Sequence, residues 1–266
     1  MSYGLLRGKK GIITGALDER SIAWHVARRA SEEGATLLLT NAPVAMRLGQ
    51  PSALAQRLGV PLVPADLTQI ADIEKLYDEA LKYFGGPIDF LLHSVGMSPN
   101  VRKGKAYPDI DYEFYQKTLD VSAISFHKLL QIGRRKEAFA EGGSIVALSY
   151  IAAQRVFPKY NDMSDAKALL ESIARMFGYF LGKERGIRVN IVSQSPTPTT
   201  AGMGIEGFQA MYEYAHQMSP LGNASAEACA DFIVVLFSDL TRGVTMQTLY
   251  HDGGFSAMGV AEELLR

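Results

Sequence analysis

The sequence predicts an α/β fold, a single domain built on a doubly wound parallel sheet. Short and almost continuously apolar runs alternate along the chain with longer segments of helical periodicity. Such runs are typical of parallel strands whose two faces are both covered by helices. The chain shows no repeats or linker-like stretches, and its 266 residues with 47% hydrophobic content can build one large core. We therefore expect one domain over residues 1–266.

Seven apolar runs are predicted to be strands, because each is short and is followed by a turn or a polar segment. The predicted strands are 10–16, 35–40, 60–65, 88–94, 143–148, 187–193 and 246–250. The segments with apolar residues at helical spacing are 21–30, 70–84, about 111–131 and 166–182. Ligands of such sheets bind at the carboxyl ends of the strands. Here those ends are Gly15, Asn41, Asp66, Ser94–Gly96 and Tyr150.

The first strand leads into a helix through a turn that could hold a phosphate group. Gly15 ends the apolar run, and Ser21 opens the helical pattern that continues with Ile22. A glycine turn at a helix N-terminus suits a pyrophosphate, because free backbone N–H groups and the helix dipole both face the anion. The G-x-G-x-x-G pattern is absent. An ordinary turn with Ser21 as helix N-cap therefore also explains this segment.

The end of the second strand bears on the choice between NAD and NADP. An acidic residue there would bind the 2′-hydroxyl of the adenosine ribose, and none lies between Thr40 and Arg47. Arg47 could approach a 2′-phosphate, or it could be a solvated helix residue. These residues by themselves leave the choice open.

The segment from Leu148 to Lys167 carries two tyrosines and a lysine at the edge where a ligand is expected. Tyr150 follows the apolar run that ends at Leu148. Tyr160 and Lys167 are seven residues apart, so on a continuous helix they would share one face about 10 Å apart. Three titratable or hydroxyl-bearing groups would then converge on the ligand edge. The alternative is that both tyrosines are half-buried packing residues and that the lysine is solvated.

A second unusual segment follows the sixth strand. Residues 195–204 contain two prolines, three threonines and two glycines, and Phe208, Met211 and Tyr212 beyond them have the spacing of a helix face. This composition predicts a loop that can close and an apolar helix beside it, which together would form a substrate lid at about 196–218. A surface loop with a core-facing helix is the alternative.

Composition and charge argue against several classes of function. The net charge of −1 gives no indication of nucleic-acid binding. Cys229 is the single cysteine, which is compatible with a reducing compartment. The N-terminal ten residues lack the apolar core of a signal peptide, and no apolar run approaches the ~20 residues of a spanning helix. We expect a soluble, cytoplasmic protein without nucleic-acid partner, membrane attachment or metal site.

Taken together, these residues resemble the short-chain dehydrogenase/reductase superfamily, and within it the divergent enoyl-acyl-carrier-protein reductases of bacterial fatty-acid synthesis. The motifs that carry the resemblance span nearly the whole chain in the expected order. They are Gly15-x5-Ser21-Ile22-Ala23, Asp66-Leu67, His93-Ser94-Val95-Gly96, Tyr150-x9-Tyr160-x6-Lys167, Pro196-x2-Thr199 and His251-Asp252-Gly253-Gly254-Phe255-Ser256.

The spacing before Lys167 separates this subfamily from its relatives. Most short-chain dehydrogenases place a tyrosine four residues before the lysine and a serine thirteen residues before that tyrosine. Here those two positions hold Met163 and Tyr150, and the phenol moves to Tyr160. This arrangement resembles the enoyl reductases and differs from alcohol or ketone dehydrogenases.

The resemblance implies a Rossmann-like fold and the reduction of the trans-2 double bond of an enoyl thioester by NADH, with NADPH as the alternative cofactor. Tyr160 would hydrogen-bond the thioester oxygen as negative charge develops on it. Lys167 would hold the nicotinamide ribose hydroxyls, and Tyr150 would line the acyl site or assist orientation. An acyl carrier protein as partner and a homotetrameric assembly are implied as well.

The resemblance also implies two sets of contact residues. Those expected at the cofactor are Gly15, Ser21, Ile22, Asp66, Leu67, Ser94, Val95, Gly96, Lys167, Pro196, Thr197 and Thr199. Those expected at the acyl pocket and its lid are Met97, Tyr150, Tyr160, Met163, Ala201, Phe208 and Met211.

Two features depart from the family pattern. Thr197 occupies a position that is often a bulky aliphatic residue in the family. The lid segment from Glu206 to Met211 lacks the basic residues that dock the acidic carrier protein. Docking would then use other charges, or coenzyme A thioesters would be accepted as substrates. The candidate charges are Arg102, Lys103, Lys105 and Lys159.

Two other functions are compatible with such a scaffold. A ketoacyl or other carbonyl reductase could be built on it, although Met163 and Tyr150 argue against this reaction. A non-catalytic dinucleotide-sensing protein would not need Tyr160 and Lys167, and both are present.

Overall fold

A computed structural model describes residues 2–47 and 50–262 of the chain. Within these residues the strands form one sheet. They are β1 (Lys10–Thr14), β2 (Thr36–Asn41), β3 (Leu62–Pro64), β4 (Ile88–His93), β5 (Phe139–Ser149), β6 (Arg188–Gln194) and β7 (Thr248–His251). Their order across the sheet is β3-β2-β1-β4-β5-β6-β7, and every neighbouring pair is parallel.

Helices fill the connections between the strands. They are α1 (Ile22–Glu32), α2 (Pro43–Met46), α3 (Gln50–Leu58), α4 (Ile70–Phe84), α5 (Pro99–Arg102), α6 (Tyr112–Leu119), α7 (Ser125–Arg135), α8 (Met163–Arg185), α9 (Thr200–Met203), α10 (Phe208–Met218) and α11 (Ala226–Phe237). A π-helical turn, Asp120–Ile124, joins α6 to α7. None of the helices in the described residues is long and apolar enough to cross a membrane.

Each face of the sheet carries its own apolar core. Helices α4, α7 and α8 cover one face, where Tyr77 and Phe126 are fully buried. Helices α1, α3 and α11 cover the other face, where the rings of Phe90 and Phe237 stack with centroids 4.5 Å apart. Burial of such side chains contributes about 1.5–3 kcal/mol each. The two cores hold the sheet rigid, so the ends of its strands are fixed points on which a site can be built.

The order of the strands reverses between β1 and β4. Gly15, directly after β1, has a φ of +87°, and a Cβ at this position would lie 2.0 Å from the carbonyl oxygen of Ser94. A side chain cannot be accommodated at so close an approach, which explains the glycine. In a doubly wound sheet, ligands bind at such a reversal, outside the carboxyl ends of the strands.

The predicted fold class is confirmed, and the strands and helices differ from the prediction mainly in their bounds. Helix α4 covers the predicted residues 70–84. Helix α3 was not predicted, since it buries few residues, and neither was α11, whose nearly uniform apolar sequence shows little periodicity. The segment 98–111, for which no helix was predicted, contains α5. Strand β5 begins at Phe139, because two glycines, Gly142 and Gly143, interrupt the apolar pattern without ending the strand.

Candidate active site

The turn between β1 and α1 is held by hydrogen bonds of Ser21. Ser21 occupies the N-cap position of α1, but its side chain makes no capping hydrogen bond. Its hydroxyl instead donates to the carbonyl oxygen of Asp18 at 2.6 Å and accepts from the N–H of Leu17 at 3.3 Å. Two roles were predicted for Ser21, and the structure does not show the hydrogen bond that the capping role requires. Ser21 therefore leaves the end of α1 that attracts anions without a side-chain cap.

The chain after β4 lies directly beside the start of α8. A Cβ on Gly96 would lie 3.6 Å from the terminal carbon of Met163, 3.8 Å from Nζ of Lys167 and 3.9 Å from the hydroxyl of Ser122. The N–H of Met97 donates to that hydroxyl at 3.0 Å. Ser122 belongs to the π-helical turn, a kind of irregularity that is frequent at functional sites. The structure thus brings together four residues that the sequence predicts for the site.

Lys167 is a buried ammonium group with an exposed fraction of 8%. Its Nζ donates to the carbonyl oxygen of Leu148 at 2.8 Å. Burial lowers the pKa of Lys167 to about 8, and the carboxylate of Glu171, one helical turn further on, partly offsets this by raising it. An ammonium group has three donors, and among the described residues one of them has a partner. The lysine therefore has hydrogen bonds to offer to a ligand.

The two predicted tyrosines lie against each other. The ring centroids of Tyr150 and Tyr160 are 5.0 Å apart, and the ring of Phe157 packs on Tyr150 at 5.2 Å. Burial raises the pKa of both phenols well above the usual value of 10, so both stay protonated near neutral pH. The hydroxyl of Tyr150 is buried and finds no hydrogen-bond partner among the described residues. Such an unsatisfied donor is unusual and indicates a site for a polar group.

Tyr160 and Lys167 do not lie on one continuous helix, so the condition under which they would share a helix face is not met. Helix α8 begins at Met163, three residues earlier than predicted, and Tyr160 belongs to the turn that precedes it. The cause is Asn161, whose φ of +51° is incompatible with a right-handed helix. Asparagine tolerates this conformation better than most residues. The phenol and the lysine are therefore positioned by different elements.

The polar side chains at the ends of β2 and β3 form hydrogen bonds with nearby residues. Asn41 donates to the carbonyl oxygen of Ala16 at 3.1 Å, which ties β2 to the first turn. The carboxylate of Asp66 accepts from both the N–H and the hydroxyl of Thr68, at 2.9 and 2.8 Å. Leu67 is buried in the core, and Arg47 is exposed. Asp66 and Leu67 thus shape the edge of the crevice mainly through their backbone.

The segment after β6 returns to the first turn. Thr199 caps α9 by accepting from the N–H of Gly202 at 3.0 Å. The hydroxyl of Thr200 bonds the carboxylate of Asp18, and the guanidinium group of Arg20 donates to the same hydroxyl at 2.9 Å. The residues predicted to form a lid are therefore attached to the turn predicted to hold a phosphate. Sequence patterns gave no sign of this contact.

A cavity of about 430 Å³ opens beside Tyr160. Apolar side chains dominate its wall, among them Ile151, Phe157, Met211, Met218 and Phe255. Tyr160 and Met211 are the predicted acyl-pocket residues that line it. The others do not: Tyr150 and Phe208 are buried behind the wall, Ala201 is exposed, and Met97 and Met163 lie near Gly96 and Ser122.

Comparison with known proteins identifies the family. The family model described as Enoyl-(Acyl carrier protein) reductase matches residues 15–256. This chain belongs to the enoyl-(acyl carrier protein) reductase family. The enoyl-acyl-carrier-protein reductase (NADH) FabI of Rickettsia felis is 38% identical over 264 residues, which cover 97% of this chain and 98% of that protein. Enoyl-acyl-carrier-protein reductase (NADH) 1 of Rhizobium meliloti is 35% identical and covers 97% of this chain and 93% of its own length.

Solved structures of the same family have the same fold. A FabI–NADH complex from Alistipes finegoldii is 61% identical, with a TM-score of 0.96, and covers 97% of this chain and 92% of that chain. A FabI structure from Aquifex aeolicus is 32% identical, with a TM-score of 0.89, and covers 96% of this chain and 100% of that chain. The resemblance that the motifs predicted is therefore confirmed over nearly the whole chain.

In this enoyl reductase, one of the cations that are candidates for carrier docking, Lys159, lies at the cavity. Lys159 lines the cavity and pairs with Glu206 on the lid segment, with Nζ 2.8 Å from Oε1. The carbonyl oxygen of Lys105 accepts from the side chain of Asn161 at 2.6 Å, which places Lys105 beside the Tyr160 turn. Lys103 lies over the ring of Phe114, with Nζ 4.2 Å from the centroid. The segment predicted to form a lid therefore contributes an acidic side chain where the family pattern led us to expect basic ones.

Proposed function

We propose that this member of the enoyl-(acyl carrier protein) reductase family reduces the trans-2 double bond of enoyl thioesters with NADH. The observation that carries the proposal is that Tyr150 and Tyr160 lie against each other beside an apolar cavity, while Lys167 bonds the carbonyl oxygen of Leu148, two residues before Tyr150. The names of the relatives and of the structural neighbour, which mention NADH, support the choice of cofactor.

The residues of the crevice fit a bound dinucleotide. Gly15 leaves space that any Cβ would fill, and the open N-terminus of α1 offers N–H groups to a pyrophosphate. Lys167 has donors for the nicotinamide ribose hydroxyls. We propose that the cofactor contacts are Gly15, Ser21, Ile22, Asp66, Leu67, Ser94, Val95, Gly96, Lys167, Pro196, Thr197 and Thr199.

Bound NADH would supply the hydride for the β-carbon of the substrate. The phenol of Tyr160 then donates a hydrogen bond to the thioester oxygen, on which enolate charge develops. Because burial keeps the phenol protonated, this donor is present throughout the neutral pH range. The ammonium group of Lys167 adds positive charge near that oxygen. Tyr150 supports the ring of Tyr160 and offers its own unpaired hydroxyl to the acyl group.

The acyl chain would occupy the apolar cavity beneath a lid at about 196–218. We propose that Tyr160 and Met211, which line this cavity, hold the acyl chain. Met97, Tyr150, Met163, Ala201 and Phe208, which do not line it, would complete the substrate site around it. The contact of Thr200 with Asp18 supports a lid whose closed position depends on the cofactor turn. An acyl carrier protein would deliver the substrate past Lys159, which lines the cavity, and Lys105, which lies beside the Tyr160 turn.

We further propose a homotetramer that works in the cytoplasm. Helix α8 exposes Met176, Tyr179 and Phe180, each about half accessible, and apolar patches of this kind are often covered by another protein chain. The buried thiol of Cys229 is compatible with a reducing compartment. Sedimentation velocity would measure the assembly, and a monomer at micromolar concentration would contradict the tetramer.

Oxidation of the reduced cofactor tests the reaction. We expect the purified protein to oxidise NADH when crotonyl-coenzyme A is added, and to oxidise NADPH more slowly. Acetoacetyl-coenzyme A is the matched control, since it has the same carbon skeleton but offers a ketone. Turnover of the ketone alone would identify a carbonyl reductase. Binding of NADH without turnover of coenzyme A or carrier-protein substrates would favour the dinucleotide-sensing alternative.

A further inference from the structure

The carboxylate of Asp162 is completely buried and is bonded by side chains from three places in the chain. The hydroxyl of Ser98 donates to its Oδ1 at 2.5 Å, and Nδ2 of Asn100 donates to its Oδ2 at 2.8 Å. The hydroxyl of Thr118 lies 2.8 Å from the same Oδ2. A buried carboxylate is costly unless such bonds compensate for the lost water. The cluster is therefore held by specific hydrogen bonds, and none of its members was predicted as a site residue.

The partners of Asp162 are themselves held in place. Asn100 forms a two-way clamp with the backbone of Asp111: its Nδ2 donates to the carbonyl oxygen at 3.1 Å, and its Oδ1 accepts from the N–H at 3.0 Å. The hydroxyl of Ser98 also accepts from the N–H of Val101, at 3.0 Å, and so caps α5. These partners cannot follow a displaced Asp162 without breaking bonds of their own. They form a rigid anchor.

The hydrogen-bonded cluster around Asp162 adjoins two parts of the proposed reaction site along the chain. Asp162 is two residues beyond Tyr160, and Ser98 is two residues beyond Gly96, the residue that faces Lys167. Two residues of chain span at most about 7 Å, so a shift of Asp162 away from the firmly held Ser98 and Asn100 would move the phenol of Tyr160 relative to Gly96. The intervening Asn161 holds a strained φ of +51° and is tied to the carbonyl oxygen of Lys105 at 2.6 Å. The Tyr160 turn is thus fixed at two consecutive residues.

We propose that Asp162 is a positioning residue for Tyr160. Its carboxylate clamps the turn before α8 onto the segment 98–118 and so sets the place of the phenol relative to Gly96 and Lys167. The inference rests on the function proposed above for Tyr160. Because displacement of a catalytic group by about 1 Å can cost about 100-fold in rate, loss of the clamp should reduce turnover. Lys167 lies further along α8, so cofactor affinity should change little.

Two variants and two matched controls test the proposal. Asp162→Asn keeps the shape but replaces one acceptor oxygen by an NH2 group, which faces donors. Thr118→Val removes one hydroxyl from the cluster at constant volume, and Thr118→Ser, its control, keeps that hydroxyl. Glu33→Gln controls for the loss of a buried carboxylate as such. Glu33 is fully buried as well, but it accepts from the N–H groups of Tyr3 and Leu5, both at 2.9 Å, and pairs with Arg29 at 2.7 Å, far from the strand ends that form the site.

The readouts are kcat with crotonyl-coenzyme A, the Kd of NADH by fluorescence titration and the melting temperature. We expect Asp162→Asn to lower kcat 10- to 100-fold and Thr118→Val to lower it 3- to 10-fold, with the Kd of NADH changed less than 3-fold. Thr118→Ser and Glu33→Gln should keep kcat within 2-fold of the wild type, even where Glu33→Gln lowers the melting temperature.

Several results would overturn the proposal. A kcat of Asp162→Asn within 2-fold of the wild type would do so, and so would a loss of NADH affinity equal to the loss of kcat. If the kcat of Glu33→Gln fell together with its melting temperature, loss of stability alone would explain a lower kcat in Asp162→Asn. Asp162 would then only stabilise the fold. If Asp162→Asn does not fold, the pair of Thr118 variants decides alone. An inactive wild-type protein would instead refute the proposed function. Failure of the proposed function can therefore be distinguished from failure of the role proposed for Asp162.

Discussion

Replacement of Lys167 by methionine should stabilise the protein in the absence of cofactor. Burial lowers the pKa of Lys167 from the ordinary value of 10.5 to about 8. At about 1.4 kcal/mol per pH unit, this corresponds to about 3 kcal/mol of folding free energy that is lost by keeping the ammonium group charged. Methionine has a similar length and carries no charge. It gives up the bond to the carbonyl oxygen of Leu148, worth about 1 kcal/mol, so the net gain should be about 2 kcal/mol.

The pH dependence of this gain follows from the same pKa. Below pH 8 the folded and unfolded chains both carry the proton on Lys167, and the full cost of the buried charge applies. Between pH 8 and 10.5 the folded chain releases the proton first, so the cost shrinks as the pH rises. The advantage of Lys167→Met should therefore be full at pH 7 and much smaller at pH 9.5.

Thermal unfolding at constant protein concentration and without cofactor measures the effect. For a domain of this size, about 2 kcal/mol corresponds to about 4–8 °C in melting temperature. Lys128→Met is the matched control, since Lys128 donates to the carbonyl oxygen of Thr68 at 2.8 Å and pairs with Asp120 at 2.7 Å. That variant should be less stable than the wild type.

Two results would refute this reasoning about Lys167. The first is a melting temperature of Lys167→Met at pH 7 that is equal to or below that of the wild type. The second is an advantage that stays constant between pH 7 and 9.5, since this would come from packing and not from charge. The same variant should bind NADH at least 10-fold more weakly. Normal NADH binding would remove Lys167 from the proposed cofactor contacts.

Three further substitutions test separate parts of the site. Tyr160→Phe should lower kcat about 100-fold or more with little effect on the Kd of NADH, because the phenol acts only on the developing oxyanion; an unchanged kcat would exclude Tyr160 from the reaction. Gly15→Ala should lower the free energy of unfolding by about 2 kcal/mol or more in urea titrations, because its φ is +87° and its Cβ would meet the carbonyl oxygen of Ser94. Thr200→Val, which removes the hydroxyl bonded to Asp18, should raise the KM for NADH 3- to 10-fold at similar kcat; an unchanged KM would show that the lid does not depend on the cofactor turn.

Much of the fold could be predicted because it depends on local patterns. The strands are short apolar runs, and α4 shows a clean apolar stripe, so both were visible in the sequence. Helix α11 was missed because an almost uniformly apolar helix buried against the sheet has little periodicity to detect. The turn before α8 was not visible in the sequence for a different reason. Asn161 adopts a left-handed conformation there, and its amide bonds Lys105, 56 residues earlier in the chain.

The sequence by itself determined the α/β class, the run of motifs from Gly15 to Ser256 and, through them, the family. Each of these depends on which residues follow one another. Only the tertiary structure decided how the site is held together. The clamp on Asp162 joins residues 44 to 64 positions apart, and the bond between Thr200 and Asp18 spans 182 positions. Burial and hydrogen bonding at such separations depend on how the elements pack, and local sequence patterns carry no record of that.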